Sequence, residues 1–243
     1  MIKKNIFILL LLIIVNSASY AASQKSELAE KYKAINNINN KASLQRGAKY
    51  FVNYCSGCHS LKYMRMSTLA EDLNIEEAVF SQNLLFSNKK IGETMTIPMS
   101  ESDAILWFNA IPPDLSLTAR SKGPDYIYSK LNTYYEDDSS PTGFNNMALP
   151  NTSMPNILAG LQGGQKLELD DKNKPVGFIK ISEGTYNDLE YKQLTNDITN
   201  FLVYVSEPAK LRRYSMGFWV LMFIFIFTII AYYTKKEFWK DVH

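Results

Sequence analysis

The stretch Cys55-Ser56-Gly57-Cys58-His59 contains both cysteines and one of the two histidines of this 243-residue chain. The C-x-x-C-H pattern is typical of covalent haem attachment. Near-helical spacing of the cysteines presents both thiols to one edge of a porphyrin, and the histidine that follows can turn its imidazole toward the iron. A thioredoxin-like redox pair needs no histidine, and a zinc site needs a second pair of ligands. The motif therefore favours a c-type haem over both alternatives.

The residues around this motif predict a small helical haem domain. Gly47, Phe51 and Cys55 stand four residues apart, so residues 44–54 are expected to form a helix with a glycine notch. Apolar residues at helical spacing predict a second helix at residues 196–205. Small monohaem c-type cytochromes cross their first and last helices at such a glycine. The predicted fold is mainly α, a class I cytochrome c-like haem domain with loop insertions.

One β-hairpin interrupts the helical pattern. Residues 166–169 and 177–181 alternate in polarity on either side of a turn-like segment rich in Asp, Asn, Lys and Pro. Such alternation around a turn predicts a small antiparallel hairpin.

Composition excludes several classes of protein. The chain has 26 Lys and Arg against 24 Asp and Glu, and a nucleic-acid binder needs a strongly basic face. Two cysteines cannot form a disulfide scaffold, and two histidines leave little room for a zinc site. Metal chemistry must therefore depend on very few residues.

Two apolar segments predict export and a membrane anchor. Residues 1–21 have the basic, apolar and small-residue order of a secretory signal peptide, the alternative being an uncleaved N-terminal anchor. Residues 214–233 contain no charged residue, and a helix of this length rises roughly 30 Å, enough to cross the hydrocarbon core. The alternative is a buried core helix. The expected organisation is an exported domain at residues 22–209, a transmembrane helix and a cytoplasmic tail at residues 234–243.

The charges of these parts differ in sign. Residues 22–209 contain 18 basic and 22 acidic residues, a net charge of −4, whereas residues 210–243 contain 6 basic and 2 acidic residues, a net charge of +4. Basic residues flank the predicted span equally, so orientation depends on the signal peptide. An acidic exported domain is thus expected on a basic membrane anchor.

The sixth iron ligand can be narrowed by elimination. His243 lies beyond the predicted span, so the haem domain has no second histidine, which leaves methionine, lysine, asparagine or an open position. The methionines far enough from the motif are Met95, Met99, Met147 and Met154. Met154 is favoured because it stands in a polar loop that ends at a proline.

Several further motifs make the chain resemble the cytochrome c1 family, the haem subunits of cytochrome bc1 complexes. They include Ile111-Pro112-Pro113-Asp114-Leu115-Ser116, Gly123-Pro124-Asp125-Tyr126, and Met154-Pro155 ahead of the C-terminal membrane helix. The resemblance covers nearly all of the predicted mature chain.

The resemblance implies roles for particular residues. His59 and Met154 would be the axial ligands, and Cys55 and Cys58 would bind one haem c per chain through thioether bonds. Four further haem contacts are implied, namely Pro112 and Pro113 along the haem face, Arg120 at a propionate and Tyr126 in the haem pocket.

The resemblance also implies a function and partners. Single electrons would pass from a Rieske iron-sulfur protein to a cytochrome c, while quinol oxidation occurs in a cytochrome b partner. The complex would be a dimeric quinol-cytochrome c reductase of the respiratory chain in the inner membrane, with the haem domain on the periplasmic side. The alternatives are a membrane-tethered cytochrome c that shuttles electrons to a terminal oxidase, and a haem catalyst or gas sensor with an open sixth position.

Overall fold

The computed structural model describes residues 27–86 and 89–241 and is mainly helical. The predicted signal peptide lies outside the described residues. Helices within the described residues are α1 (Glu27–Glu30), α2 (Lys41–Tyr50), α3 (Met66–Asp72), α4 (Glu77–Asn83), α5 (Glu101–Phe108), α6 (Thr118–Lys122), α7 (Pro124–Asn132), α8 (Ala159–Gln162), α9 (Asp188–Ser206) and α10 (Lys210–Phe238). Strands within them are β1 (Leu61–Arg65), β2 (Thr94–Met95), β3 (Tyr134–Glu136), β4 (Phe144–Asn146), β5 (Gln165–Leu169) and β6 (Pro175–Lys180).

Helices α2 and α9 cross at Gly47, as the sequence predicts. A Cβ atom added to Gly47 would lie 2.6 Å from the Cβ of Phe201 and closer still to the Asp197 carbonyl oxygen. Just beyond the crossing, the Phe51 and Phe201 rings pack with centroids 5.6 Å apart. The core of the domain therefore forms where these two helices meet.

A buried carboxylate stabilises the contact between α2 and α9 where they cross. Asp197 is 1% exposed, and its oxygens accept hydrogen bonds from Ser43 Oγ at 2.6 Å, Arg46 Nε at 2.6 Å and Gln193 Nε2 at 3.0 Å. The Asp197 carboxylate also raises the pKa of Arg46 through its hydrogen bond. These hydrogen bonds compensate the cost of removing the Asp197 charge from water.

The strands form three antiparallel pairs, β1 with β2, β3 with β4 and β5 with β6. The third pair is the predicted hairpin, with Leu167 opposite Phe178. The other two pairs join short segments and were not predicted. One of them, β3 with β4, leads from α7 toward the loop that carries Met154.

The C-terminal helix leaves the domain. Within α10, residues Met216–Phe238 are long and apolar enough to cross a membrane, with a mean hydropathy of 2.1 and none of that segment buried in the protein. This agrees with the predicted membrane helix rather than with a buried core helix.

Candidate haem site

A wide turn at the end of α2 leads into the C-x-x-C-H motif. Residues Phe51–Cys55 form a π-helical turn, in which the Ser56 amide donates to the Phe51 carbonyl at 2.9 Å. The His59 amide then donates to the Cys55 carbonyl at 2.9 Å, so the motif itself makes a helical turn. Single π turns occur frequently at functional sites. The two cysteines form no disulfide with each other.

His59 is oriented by a backbone carbonyl from a distant part of the chain. The imidazole is 8% exposed, and its Nδ1 lies 2.8 Å from the Pro113 carbonyl oxygen. A carbonyl can only accept, so Nδ1 carries the proton and the lone pair of the neutral ring is on Nε2. Burial lowers the pKa of His59, which favours this neutral form. The arrangement is that of a metal-ligating histidine with its second nitrogen fixed.

The Pro-Pro-Asp-Leu-Ser segment is bonded to the chain that follows the motif. Asp114 Oδ2 accepts from the Lys62 amide at 2.8 Å, and Ser116 Oγ accepts from the Tyr63 amide at 3.2 Å. The Leu115 amide donates to the Ser60 carbonyl at 3.0 Å. These bonds hold the segment in place beside the motif, and thereby position the Pro113 carbonyl that orients His59.

These elements enclose one cavity of about 490 Å³. That volume lies within the range of about 300–1,000 Å³ usual for ligand and cofactor sites. The lining includes seven of the eight residues singled out from the sequence, namely Cys55, Cys58, His59, Pro112, Pro113, Tyr126 and Met154. Ile198 and Leu202 of α9 complete the apolar wall.

The eighth residue, Arg120, lies elsewhere. Arg120 is exposed on α6, whose buried residue is Ala119, and it is not among the described residues that line the cavity. Two other cations of the described chain do line it, Lys122 and Lys130. The predicted contact of Arg120 with a propionate stays a prediction.

Met154 is carried by a loop whose backbone is held on both sides. Its amide donates to Thr152 Oγ1 at 3.3 Å, and its carbonyl accepts from the Tyr134 hydroxyl at 3.2 Å. Burial raises the pKa of Tyr134, which keeps this hydroxyl protonated as a donor. Of the four candidate methionines, all within the described residues, Met154 alone lines the cavity.

The two thiols occupy different environments. Cys55 is buried, and burial raises the pKa of its thiol to about 12. Cys58 is half-buried, and burial raises the pKa of its thiol as well. Both groups are therefore protonated at neutral pH in the haem-free chain.

Several residues of the site were not predicted as such. Asp114 and Ser116 lie in the motif that begins with Pro112 and Pro113. Short polar side chains in such a segment often accept hydrogen bonds from nearby backbone amides. Tyr134 acts through a contact 20 residues along the chain, which nothing in the nearby sequence indicates. Thr152 accepts from the Met154 amide two residues on, a local contact typical of Ser and Thr in loops. Lys130 follows the polar spacing of α7 and resembles any solvent-facing lysine.

A sequence model described as the Cytochrome C1 family matches residues 31–242. The chain belongs to the cytochrome c1 family. It is 47% identical over 212 residues to a cytochrome c1 of Allochromatium vinosum, covering 85% of this chain and 87% of the relative.

Two further comparisons extend over the whole chain. A protein of Nitrosomonas europaea named ammonia monooxygenase gamma subunit is 35% identical over 237 residues, 98% of each chain. A solved chain described as hyperthermophilic respiratory Complex III has a TM-score of 0.46 and 17% identity, with 100% of this chain and 99% of that chain covered.

Membership of the cytochrome c1 family confirms the resemblance and the predicted fold class, mainly α with small hairpins and one C-terminal apolar helix. It supports electron transfer in a bc1-type complex as the function and does not favour the tethered shuttle. The family implies haem c, and the chain is membrane-anchored.

Proposed function

We propose that this chain carries one haem c and passes single electrons from a Rieske iron-sulfur protein to a cytochrome c. The observation that carries the proposal is a single cavity lined by both thiols of C-x-x-C-H, by His59 and by Met154. Family membership supports it from an independent direction.

The residues present fit the haem by the chemistry of their donor atoms. Cys55 and Cys58 would form the thioether bonds, and Nε2 of His59 and the thioether sulfur of Met154 would be the axial ligands. Pro112, Pro113 and Tyr126 would contact the macrocycle, while Arg120 is proposed to approach a propionate. When bound, the haem supplies a one-electron Fe(III)/Fe(II) couple, whose potential a thioether ligand raises.

Hydrogen bonds within the protein hold the two proposed ligand residues in place. The Pro113 carbonyl fixes the imidazole of His59, and the bonds of Tyr134 and Thr152 fix the backbone of Met154. With His59 and Met154 both holding the iron, small molecules such as oxygen would be excluded from it. The site is accordingly built for electron transfer, and no catalytic residue is assigned in this chain.

The enzymatic activity belongs to the whole complex, a quinol-cytochrome c reductase in which cytochrome b oxidises the quinol. Only three residues separate the end of α9 at Ser206 from the start of α10 at Lys210. A flexible tether needs a much longer linker rich in Gly, Ser or Pro. The short connection supports a fixed subunit rather than a shuttle, and the family resemblance implies that the complex is dimeric.

Topology follows from the proposed segments. Residues 1–21 would be removed as a signal peptide, and residues 22–209 would fold in the periplasm. One inner-membrane span, proposed at residues 214–233 within α10, would leave residues 234–243 in the cytoplasm.

The test is detergent extraction of the full-length protein from its native membrane. We expect a b-type cytochrome and a Rieske protein to co-purify with it, and the reduced spectrum to remain unchanged on addition of carbon monoxide. Repeated recovery of the chain without either partner would favour the tethered shuttle. Ready binding of carbon monoxide by the native protein would indicate an open sixth position and a haem catalyst or sensor.

A further inference from the structure

The charged groups of the haem cavity are all basic among the described residues. Its lining includes the lysines Lys122 and Lys130 but no described Asp or Glu. A haem carries two propionate carboxylates, and carboxylates are removed from water at high cost unless a cation or hydrogen bonds compensate them. The charge of the lining is therefore complementary to the charge of the cofactor.

Lys130 is the inner of the two lysines. It lies on α7, whose neighbouring residues Ile127 and Leu131 are buried and also line the cavity. Its ammonium nitrogen lies 3.3 Å from Thr152 Oγ1, on the loop that carries Met154. Within residues 27–86 and 89–241, no carboxylate forms an ion pair with this ammonium.

Lys122 is exposed at the edge of the same cavity. Its ammonium nitrogen lies 4.8 Å from the centroid of the Tyr126 ring. A cation over an aromatic face is held by the ring quadrupole, which restricts where the long side chain points. The cavity thus has one ammonium inside and one at its edge.

An ammonium in this position is unfavourable while it has no anionic partner. Burial and, to a smaller extent, the like charge of Lys122 together lower the pKa of Lys130 to about 8. A carboxylate brought into the cavity would restore the charged form, because an opposite charge nearby favours ionisation.

We propose that Lys130 binds a propionate of the haem, with Lys122 at the cavity edge as the second cationic partner. The inference rests on the proposed haem site and adds two residues that the family resemblance did not single out. Lys130 would also affect the midpoint potential of the haem. A cation beside the macrocycle stabilises the reduced state, which carries one positive charge fewer at iron, and so raises the midpoint potential.

The experiment compares the full-length holoprotein with Lys130→Met, Lys130→Gln, Lys130→Arg and Lys192→Met. Met removes the charge at similar length, Gln retains a hydrogen-bond donor, and Arg retains the charge. Lys192 is exposed on α9 outside this cavity, so its variant is the matched control. The measurements are covalent haem content, midpoint potential and the long-wavelength charge-transfer band of thioether-ligated ferric haem.

We expect Lys130→Met and Lys130→Gln to retain haem and the charge-transfer band. At a fixed ambient potential, the ratio of reduced to oxidised haem should fall about tenfold in both, as the loss of one partly buried charge predicts. Lys130→Arg and Lys192→Met should stay within about twofold of the parent protein, since both keep a cation at the proposed position.

Three results would overturn the assignment of Lys130. They are an unchanged potential in Lys130→Gln, an equal fall in Lys130→Arg and Lys130→Met, or loss of the charge-transfer band, which would mean that Lys130 only supports the Met154 loop. Lys130→Gln keeps the test valid if Lys130→Met does not accumulate. Absence of covalent haem from the parent protein would overturn the proposed function itself, whereas haem in every variant with no change in potential would overturn only the role of Lys130.

Discussion

The backbone of Met154 is held by hydrogen bonds, and the residue lines the cavity. Its amide and carbonyl are bonded to Thr152 and Tyr134, while the next residue, Pro155, has no amide hydrogen to donate. The preceding loop turns at Asn151, whose φ of 58° is tolerated better by Asn than by most side chains. Freedom at this position is therefore confined to the thioether, which can adjust to a metal without moving the loop.

Met154→Leu should lower the midpoint potential and open the sixth position. Leucine fills a similar volume but offers no ligand atom, so we expect a fall of at least about 59 mV, the one-electron equivalent of tenfold. Redox titration of the purified holoprotein measures the potential, and carbon monoxide difference spectra detect the open position. Met99→Leu is the matched control. A fall in Met99→Leu with no change in Met154→Leu would assign the ligand to Met99.

The two thiols of the haem-free chain should differ in reactivity. Only thiolate reacts with iodoacetamide, and the pKa of about 12 at buried Cys55 leaves on the order of one thiolate in 10⁴ at pH 8. We expect Cys58 to be alkylated at least about tenfold faster, with both rates rising as pH increases because thiolate forms on deprotonation. Peptide mass spectrometry of the haem-free protein, folded and guanidine-unfolded, measures both sites, and equal rates in the folded protein would contradict the burial of Cys55.

At the scale of elements, the crossing of α2 and α9 links the C-x-x-C-H motif to the opposite wall of the cavity. Cys55 follows directly from α2 through its π turn, and α9 contributes Ile198 and Leu202 to the lining. The two helices that pack at Gly47 therefore contribute to facing walls of the cavity.

Gly47→Ala should destabilise the domain by about 2–3 kcal/mol. The new methyl group would overlap the Asp197 carbonyl and the Phe201 side chain, and overpacking of this kind typically costs about 1–3 kcal/mol. The expected fall in Tm is about 4–12 °C for a domain of this size. Gly160→Ala, where an added Cβ has no neighbour within 4 Å, is the control for differential scanning calorimetry. Equal Tm values for the two variants would show that the crossing tolerates wider spacing.

The same crossing shows what local sequence can predict. Periodicity located the apolar turns of α9 from residue 196 onward, yet the helix begins at Asp188. The first two turns contain Tyr191 and Leu194, both buried and at helical spacing to Ile198. Asn187 and Glu190 form a capping box, so the sequence does contain signals for the earlier start. Motif spacing likewise identified Met154 as a candidate. Lys130 could not be identified from the sequence as a residue of the cavity, because its position beside the cavity depends on a loop 22 residues further along the chain.

For the whole molecule, one carboxylate joins the haem domain to the membrane helix. Asp72 at the end of α3 accepts from the Tyr204 hydroxyl at 2.8 Å and from Arg212 Nη2 at 3.1 Å. Tyr204 belongs to α9, and Arg212 lies in the first turn of α10. Helix α10 is thus held against the domain by side-chain hydrogen bonds as well as by its short connection to α9.

A chain that ends at Ala209 should leave the membrane. It lacks all of α10, whose Met216–Phe238 segment has none of its surface buried by the domain. We expect the truncated protein to retain its haem spectrum and to appear in the soluble fraction. Full-length protein is the control, and fusion of an unrelated leucine-rich span should return the domain to the membrane fraction. Retention of the truncated chain after a carbonate wash would mean that the domain itself binds lipid or a membrane partner.

The long reach of the α2 and α9 contact has a consequence for the order of events during synthesis. Arg46 and its partner Asp197 are 151 residues apart, and Ser43 and Asp197 are 154 apart. The wall that α9 adds with Ile198 and Leu202 cannot form until nearly the whole domain has been made. During that interval the Cys55 and Cys58 thiols stand uncovered, so the chain itself provides a period in which an attachment enzyme can reach them before the cavity closes.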